Sequence, residues 1–356
     1  MKEYLLKEIA NVKNGYAFDS SKYSDKGIPI IRIADIKDNI DLSKCVCIDE
    51  EINKEFLIKK GSLLIALSGA TTGKMSVFSD NKIAYLNQRI CSIYTKNEDI
   101  SQEFLIYFLK SIQKKIIVNS YGGAQPNISS KWIENIKIKV PNIKIQKKIS
   151  KKLELLANNI NSRKSQLVFL KELTKSLFTT MFGDIKTNDK NWEIYYWKDV
   201  LNIKNGKNQK QVEDINGKYP IYGSGGIIGR SNAYICNENS IIIGRKGNIN
   251  KPILVKEKFW NVDTAFGLEV KSEKMSCHYL YYFCLFYDFE IHNKAVTIPS
   301  LVKSDLEKII LPVPPIELQN KFAERIEKIE KLSFEIEEAI KEAENLYNSL
   351  ISKYFD

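Results

Sequence analysis

The sequence predicts an α+β protein: two similar globular domains joined by two long helices that form an antiparallel coiled coil. Three observations carry this reading. A sequence repeat spans the chain, each copy closes on a seven-residue apolar period, and the two closing segments carry opposite net charge. Within the 356 residues, Glu8–Gly15 matches Asp199–Gly206 at an offset of 191, and the match still holds at Pro29 and Pro220. Ser62–Gly69 matches Ser240–Gly247 at 178, Phe104–Phe108 matches Tyr279–Phe283 at 175, and Val140–Gln146 matches Val313–Gln319 at 173. A falling offset means that the second copy has shorter loops, where two copies of one fold diverge most freely.

The first domain is expected over residues 1–143. Its short apolar runs, Gly27–Ile33 and Ser62–Leu67, lie between turns rich in Gly, Asn and Asp and read as strands, while Gln102–Ile117 reads as a helix. Pro141 then opens a spacer helix over residues 144–183. Along it Ile145, Ile149, Leu153, Leu156, Ile160, Arg163, Leu167, Leu170, Thr174, Leu177 and Met181 recur by fours and threes, the spacing of a coiled-coil seam. The second domain, residues 184–313, repeats the pattern with strands at Ile241–Gly244 and Lys308–Val313 and a helix at Cys277–Phe289. The second spacer helix, residues 314–356, carries Leu318, Phe322, Ile326, Ile329, Ser333, Ile336, Ile340, Ala343, Tyr347, Leu350 and Tyr354 at the same spacing. Ile149, Leu156, Ile160, Leu167, Leu170 and Leu177 on the first helix, and Phe322, Ile329, Ile336, Ile340 and Leu350 on the second, are the expected packing residues.

Residues 144–183 have a net charge of +7 and residues 317–356 of −4. Opposite charge favours pairing of the two helices with each other over self-pairing. Exposed ion pairs contribute only about 0.3–0.5 kcal/mol each, so charge selects the partner while the apolar seam holds it. A globular domain stands between the helices in sequence, which lets them run antiparallel.

Composition bounds the function. The hydrophobic fraction is 44% and the charged fraction 27%, which excludes wholesale disorder and fibrous sequence. A net charge of +11 and a pI near 9.1 point to a polyanionic partner. Six scattered cysteines include no C-x-x-C, and only His278 and His292 accompany them, so no metal site is expected. The densest apolar run, Tyr279–Tyr287, is about half the length needed to cross a bilayer, and charged residues occupy the N-terminus where a signal peptide needs an apolar run. A reduced, cytoplasmic protein without membrane contact is the expectation.

Catalytic motifs are degenerate. Gly69-Ala70-Thr71-Thr72-Gly73-Lys74-Met75 has one residue too few between its glycines for a phosphate loop, and Met75 stands where Ser or Thr is needed. Asp263 with Glu269-Val270-Lys271 has the form of a nuclease core, but the matching stretch of the first copy lacks the acids. Val313-Pro314-Pro315-Ile316 lacks the flanking residues of an amino-methyltransferase motif. The loops instead combine small residues, which let backbone approach phosphates, with Arg and Asn, which read guanine and adenine by paired hydrogen bonds. The candidate DNA contacts are Ser68, Thr71, Thr72, Lys74, Gln88, Arg89 and Gln125 in the first copy. In the second they are Lys207, Lys210, Arg230, Arg245, Lys246, Asn248 and Lys251.

With these features the chain resembles the specificity subunits of type I restriction–modification systems. The resemblance covers essentially the whole sequence. It rests on Asn14-Gly15 and Asn205-Gly206, on Ser62–Gly69 and Ser240–Gly247, and on Gly123–Ile128. It also rests on Val140–Gln146 and Val313–Gln319 before the helices, and on Ser176–Gly183 and Ser349–Asp356 at their ends. One departure is that His292–Ser300 replaces the glycine loop Gly122–Ser129 in the second copy. The resemblance implies a non-catalytic subunit whose two target-recognition domains each read half of a split double-stranded DNA target. The helices would set the gap and dock two methyltransferase subunits, with restriction subunits joining the complex. S-adenosylmethionine, ATP and magnesium would belong to those partners, and this chain would bind no cofactor. The alternatives are a self-contained DNA methyltransferase or nuclease with degenerate motifs, and a coiled-coil interaction protein without base reading.

Overall fold

A computed structural model describes residues 1–50, 52–120 and 126–355. The chain divides into two compact units, Met1–Ser162 with Ala339–Asp356, and Arg163–Glu338. The division runs through both long helices, so each unit owns the first part of one helix and the last part of the other.

In the first unit β1 (Lys2–Leu5) pairs antiparallel with β9 (Lys137–Val140), bringing the start of the chain to the strand that precedes the long helix. A four-stranded antiparallel sheet has the order β2 (Ala10–Asn14), β8 (Ile90–Thr95), β5 (Leu63–Ala66), β6 (Met75–Val77). A second sheet places β3 (Ile28–Ile31) between β4 (Cys47–Ile48) and β7 (Tyr85–Leu86). The helices are α1 (Leu6–Ile9), α2 (Gln102–Ser111), α3 (Gln113–Val118), α4 (Ser130–Glu134) and the long α5 (Ile143–Phe182). The continuous helix expected over Gln102–Ile117 is broken at Ile112, whose φ and ψ of −94° and 9° leave the helical region.

The second unit repeats this plan. Strand β10 (Glu193–Tyr196) pairs with β18 (Ile310–Val313). The four-stranded sheet is β11 (Leu201–Asn205), β17 (Ala265–Val270), β14 (Ser240–Gly244), β15 (Ile253–Val255), and the three-stranded one is β13 (Gly226–Ser231), β12 (Tyr219–Gly223), β16 (Trp260–Asn261). Its helices are α6 (Trp197–Val200), α7 (Cys277–Phe286), α8 (Lys303–Leu306) and the long α9 (Ile316–Phe355). The sequence repeat is thus a structural repeat, strand for strand.

The apolar runs mark strands covered on both faces. Side chains of a strand alternate between its faces. Accordingly Leu63 and Ile65 of β5 enter the core that holds Phe104, Leu105 and Phe108 of α2, while Leu64 enters a separate core with Ile31, Phe78 and Leu86. In β14, Ile241 and Ile243 join the core of α7, and Ile242 turns to Val255 and Phe259.

Both long helices have 40 residues, about 60 Å at 1.5 Å per residue. Heptad positions form an apolar seam along both helices. Ile149, Leu153, Ile160, Phe322, Ile326, Ile336 and Ile340 are buried, and Leu156, Leu167, Leu170, Leu177, Ile329 and Leu350 are half-buried. Its direction is antiparallel in each unit. In the first, Ile149 and Leu153 share a core with Tyr347, Leu350, Ile351, Tyr354 and Phe355. In the second, Phe178 and Phe182 pack with Phe322 and Ile326.

One seam position departs from expectation. Ile145 is exposed, and the polar Gln146 beside it is buried. Gln146 Oε1 accepts the N–H of Ser101 at 2.8 Å, and its Nε2 donates to the carbonyls of Asp99 and Pro141, both at 2.9 Å. Gln319 repeats the clamp with Ser276 N–H at 2.8 Å, and with the carbonyls of Lys274 and Pro314 at 2.9 and 2.7 Å. Ser101 and Ser276 are the N-caps of α2 and α7, so one amide ties the start of each long helix to the helix that packs on the sheet. Replacing Gln319 by alanine strands a buried donor and two acceptors. The expected loss is about 2–4 kcal/mol, measured by denaturant unfolding of the chain.

Candidate nucleic-acid interface

In the first unit four loop ends meet in one groove. It is lined by Asn14 at the end of β2, Leu67 and Ser68 after β5, Gln88 and Arg89 between β7 and β8, and Asn127–Ser130 leading into α4. The backbone sets this convergence: Leu67 N–H donates to Arg89 O, Ile128 N–H to Leu67 O, and Gly69 N–H to Pro126 O, at 2.8–3.1 Å. Asn14 Nδ2 donates to Ser130 Oγ at 3.3 Å. Gly15 is required by contact, since a Cβ there would lie 2.0 Å from the Leu86 carbonyl oxygen. Ser68, Gln88 and Arg89, separate in sequence, are therefore neighbours.

The remaining first-copy candidates lie elsewhere. Thr72 is buried, with its hydroxyl 2.7 Å from Gly69 O and 3.0 Å from Pro126 O, so its side chain shapes the loop. Thr71 carries a buried hydroxyl without a hydrogen-bond partner among the described residues. Lys74 is exposed in a different groove, with Lys37, Asp38 and Lys110. Gln125 lies outside the described residues. Sequence reasoning passed over Asn127, Ser129 and Ser130 as single contacts. The signal available was their position between Gly123 and the helix that follows.

The second unit reproduces the loop scaffold. Arg245 N–H donates to Thr264 O at 2.8 Å, Leu301 N–H to Arg245 O at 2.8 Å, and Gly247 N–H to Pro299 O at 3.0 Å. These are the counterparts of the three first-unit bonds, so His292–Ser300 keeps the backbone connections although its glycines are gone. A Cβ on Gly206 would lie 1.8 Å from the Val262 carbonyl oxygen, the counterpart of the Gly15 contact. Lys207, Lys210, Lys246, Asn248 and Lys251 are exposed. The turn of the β12–β13 hairpin reaches this loop: a Cβ on Gly225 would stand 3.4 Å from Asn248 Nδ2, and one on Gly247 would stand 3.7 Å from Ser224 Oγ. Two loops distant in sequence thus form one surface around Asn248. Arg245 is half-buried, its guanidinium 5.7 Å from the centre of the Phe266 ring. Arg230 spends Nε and Nη2 on the carbonyls of Gly217 and Lys218 at 2.6 and 2.8 Å, bracing the hairpin.

Elsewhere the chemistry is structural. Glu269 is buried, accepts the Asn237 N–H at 2.9 Å and pairs with Lys204 at 3.5 Å. Burial pushes the Cys91, Cys236 and Cys277 thiols up to about 12, so they stay protonated and poorly nucleophilic at neutral pH. Among the described residues no cluster of three His, Cys, Asp or Glu side chains could hold a metal ion, and no helix is long and apolar enough to cross a membrane.

Fold and surface together define a class: a protein of two equivalent α+β units, each presenting amide- and cation-bearing loops, connected by long antiparallel helices. A family model described as the type I restriction modification DNA specificity domain matches residues 1–169 and again residues 189–344, and the chain belongs to that family. It is 24% identical over 327 residues to the type I restriction enzyme MjaVIII specificity subunit of Methanocaldococcus jannaschii, covering 79% of this chain and 75% of that protein. It is 21% identical over 403 residues to the EcoBI specificity subunit of Escherichia coli, covering 98% and 84%. Its fold is similar to the crystal structure of the type I restriction–modification S subunit from M. genitalium. The TM-score is 0.66 at 16% identity, covering 100% of this chain and 96% of that one.

Proposed function

We propose that this chain is the DNA-recognition subunit of a type I restriction–modification enzyme, with one target-recognition domain in each unit reading half of a bipartite double-stranded target. The observation that carries the reading is the duplication of the loop scaffold. The same three backbone bonds and the same glycine contact build a loop surface in both units, while the exposed side chains differ: Gln88, Arg89 and Asn127 in one, Lys246, Asn248 and Lys251 in the other. Equivalent scaffolds with different side chains suit two readers of different half-sites joined by a spacer, as in other DNA-binding proteins with paired modules.

In this reading the recognition domains are residues 1–143 and 184–313, and the spacer helices are residues 144–183 and 314–356. The helices set the distance between half-sites and dock two methyltransferase subunits, to which restriction subunits add. The chain catalyses nothing itself. S-adenosylmethionine, ATP and magnesium act on those partners, in the cytoplasm.

The test is a domain exchange. Residues 1–143 are replaced by the first domain of another family member, and methylated sites are mapped in cells carrying the chimera and the methyltransferase. One half of the motif is expected to change and the other to persist. Change in both halves, or in neither, would refute the modular reading.

A further inference from the structure

Two exposed apolar tips adjoin the Lys246–Asn248 loop. The first is the segment between Asn293 and Ser300, in which Val296 is fully exposed and Ile298 is 61% exposed. Its base is closed: Asn293 Oδ1 accepts the N–H groups of Ala295 and Ser300, both at 3.0 Å. Lys294 pairs with Asp305 at 2.5 Å, and His292 Nε2 lies 2.8 Å from the Tyr287 hydroxyl with the two rings stacked. The far end is tied to the polar loop, since Pro299 O accepts the Gly247 N–H and Lys246 bridges to Ser300. The second tip is the β12–β13 hairpin, where Ile227 and Ile228 are exposed and the turn sits against Gly247 and Asn248.

Branched aliphatic side chains held out on a braced loop add little to the core of their own unit. Through Pro299 and Ser300 their segment joins the Lys246–Gly247 stretch of the polar loop, a setting that suits the wall of a DNA groove. On base edges in the major groove the one apolar group is the 5-methyl of thymine, and small aliphatic side chains read it by contact. We propose that Val296 and Ile298 form an apolar finger that reads a thymine 5-methyl in the half-site of the second unit, next to the Asn248 loop. The inference rests on the DNA-recognition function above and adds a residue-level chemistry to it.

The test uses the complex of this chain with its methyltransferase subunit, once methylated-site mapping has given the target. Binding is measured to the natural duplex and to duplexes with each second-half thymine replaced in turn by deoxyuridine, which removes only the methyl group. At one such position the wild-type complex is expected to bind about three- to tenfold more weakly. The Val296→Ser/Ile298→Ser complex is expected to bind both duplexes equally, and Val296→Ile to keep the discrimination. Deoxyuridine in the first half-site is expected to act alike on all three proteins. Equal discrimination by wild type and double variant, a second half-site without thymine, or loss of methyltransferase association with discrimination intact would overturn the finger; the last would mark a protein-docking tip. Absence of any sequence preference in the wild-type complex would instead overturn the DNA-recognition reading.

Discussion

Replacing Phe322 by alanine is expected to destabilise the second unit by about 3–5 kcal/mol, the range for deleting a buried aromatic ring. Phe322 has no exposed surface. Its ring lies 5.6 Å from that of Phe178, 5.1 Å from Phe182 and 5.2 Å from Tyr282, all edge-on. One residue of α9 therefore joins the end of α5 to α7 through three aromatic rings. The same truncation at Phe334, which is 64% exposed on the same helix, is expected to change stability by less than about 0.5 kcal/mol. Denaturant unfolding of the two variants side by side checks this. Equal effects would mean that the aromatic junction does not hold the helix end.

Substituting Gly206 by alanine is expected to cost about 3 kcal/mol and to disrupt the second unit's loop surface, with the same outcome at Gly15 in the first unit. The methyl group would sit 1.8 Å from Val262 O, just after β16, or 2.0 Å from Leu86 O in β7, and a backbone carbonyl at such a place yields only by moving the adjoining strand. Gly69→Ala is the contrast. A Cβ there meets no atom of the described residues within 4 Å, but the φ of +82° makes any side chain strained, at about 1–2 kcal/mol. Hydrogen exchange at the flanking strands separates the cases. Gly206→Ala is expected to expose β11 and β16, whereas Gly69→Ala loosens only its own loop.

Periodic features were legible in the sequence. The long helices were expected at residues 144–183 and 314–356 and run over Ile143–Phe182 and Ile316–Phe355. The all-apolar runs became central strands because both of their faces are covered. Ile145 and Gln146 show where periodicity fails. A heptad pattern ranks Ile145 as the buried residue, but the first turn of the helix must satisfy the cap of α2, which an amide can do and an isoleucine cannot. Position along the chain was also a poor guide within the candidate surface. Ser68 and Lys74 share one loop yet lie in different grooves, and Thr72 between them faces inward.

By itself the sequence determined the duplication, the pair of long helices and the seam on each, because repeats and a seven-residue period are local along the chain. Only the tertiary structure decided which loops converge. The strand order β2-β8-β5-β6 and its counterpart β11-β17-β14-β15 interleave early and late segments, so Asn14, Ser68, Arg89 and Asn127 meet, as do Gly225, Asn248 and Pro299. Such neighbours follow from strand pairing between segments tens of residues apart, which depends on long-range packing rather than on local pattern.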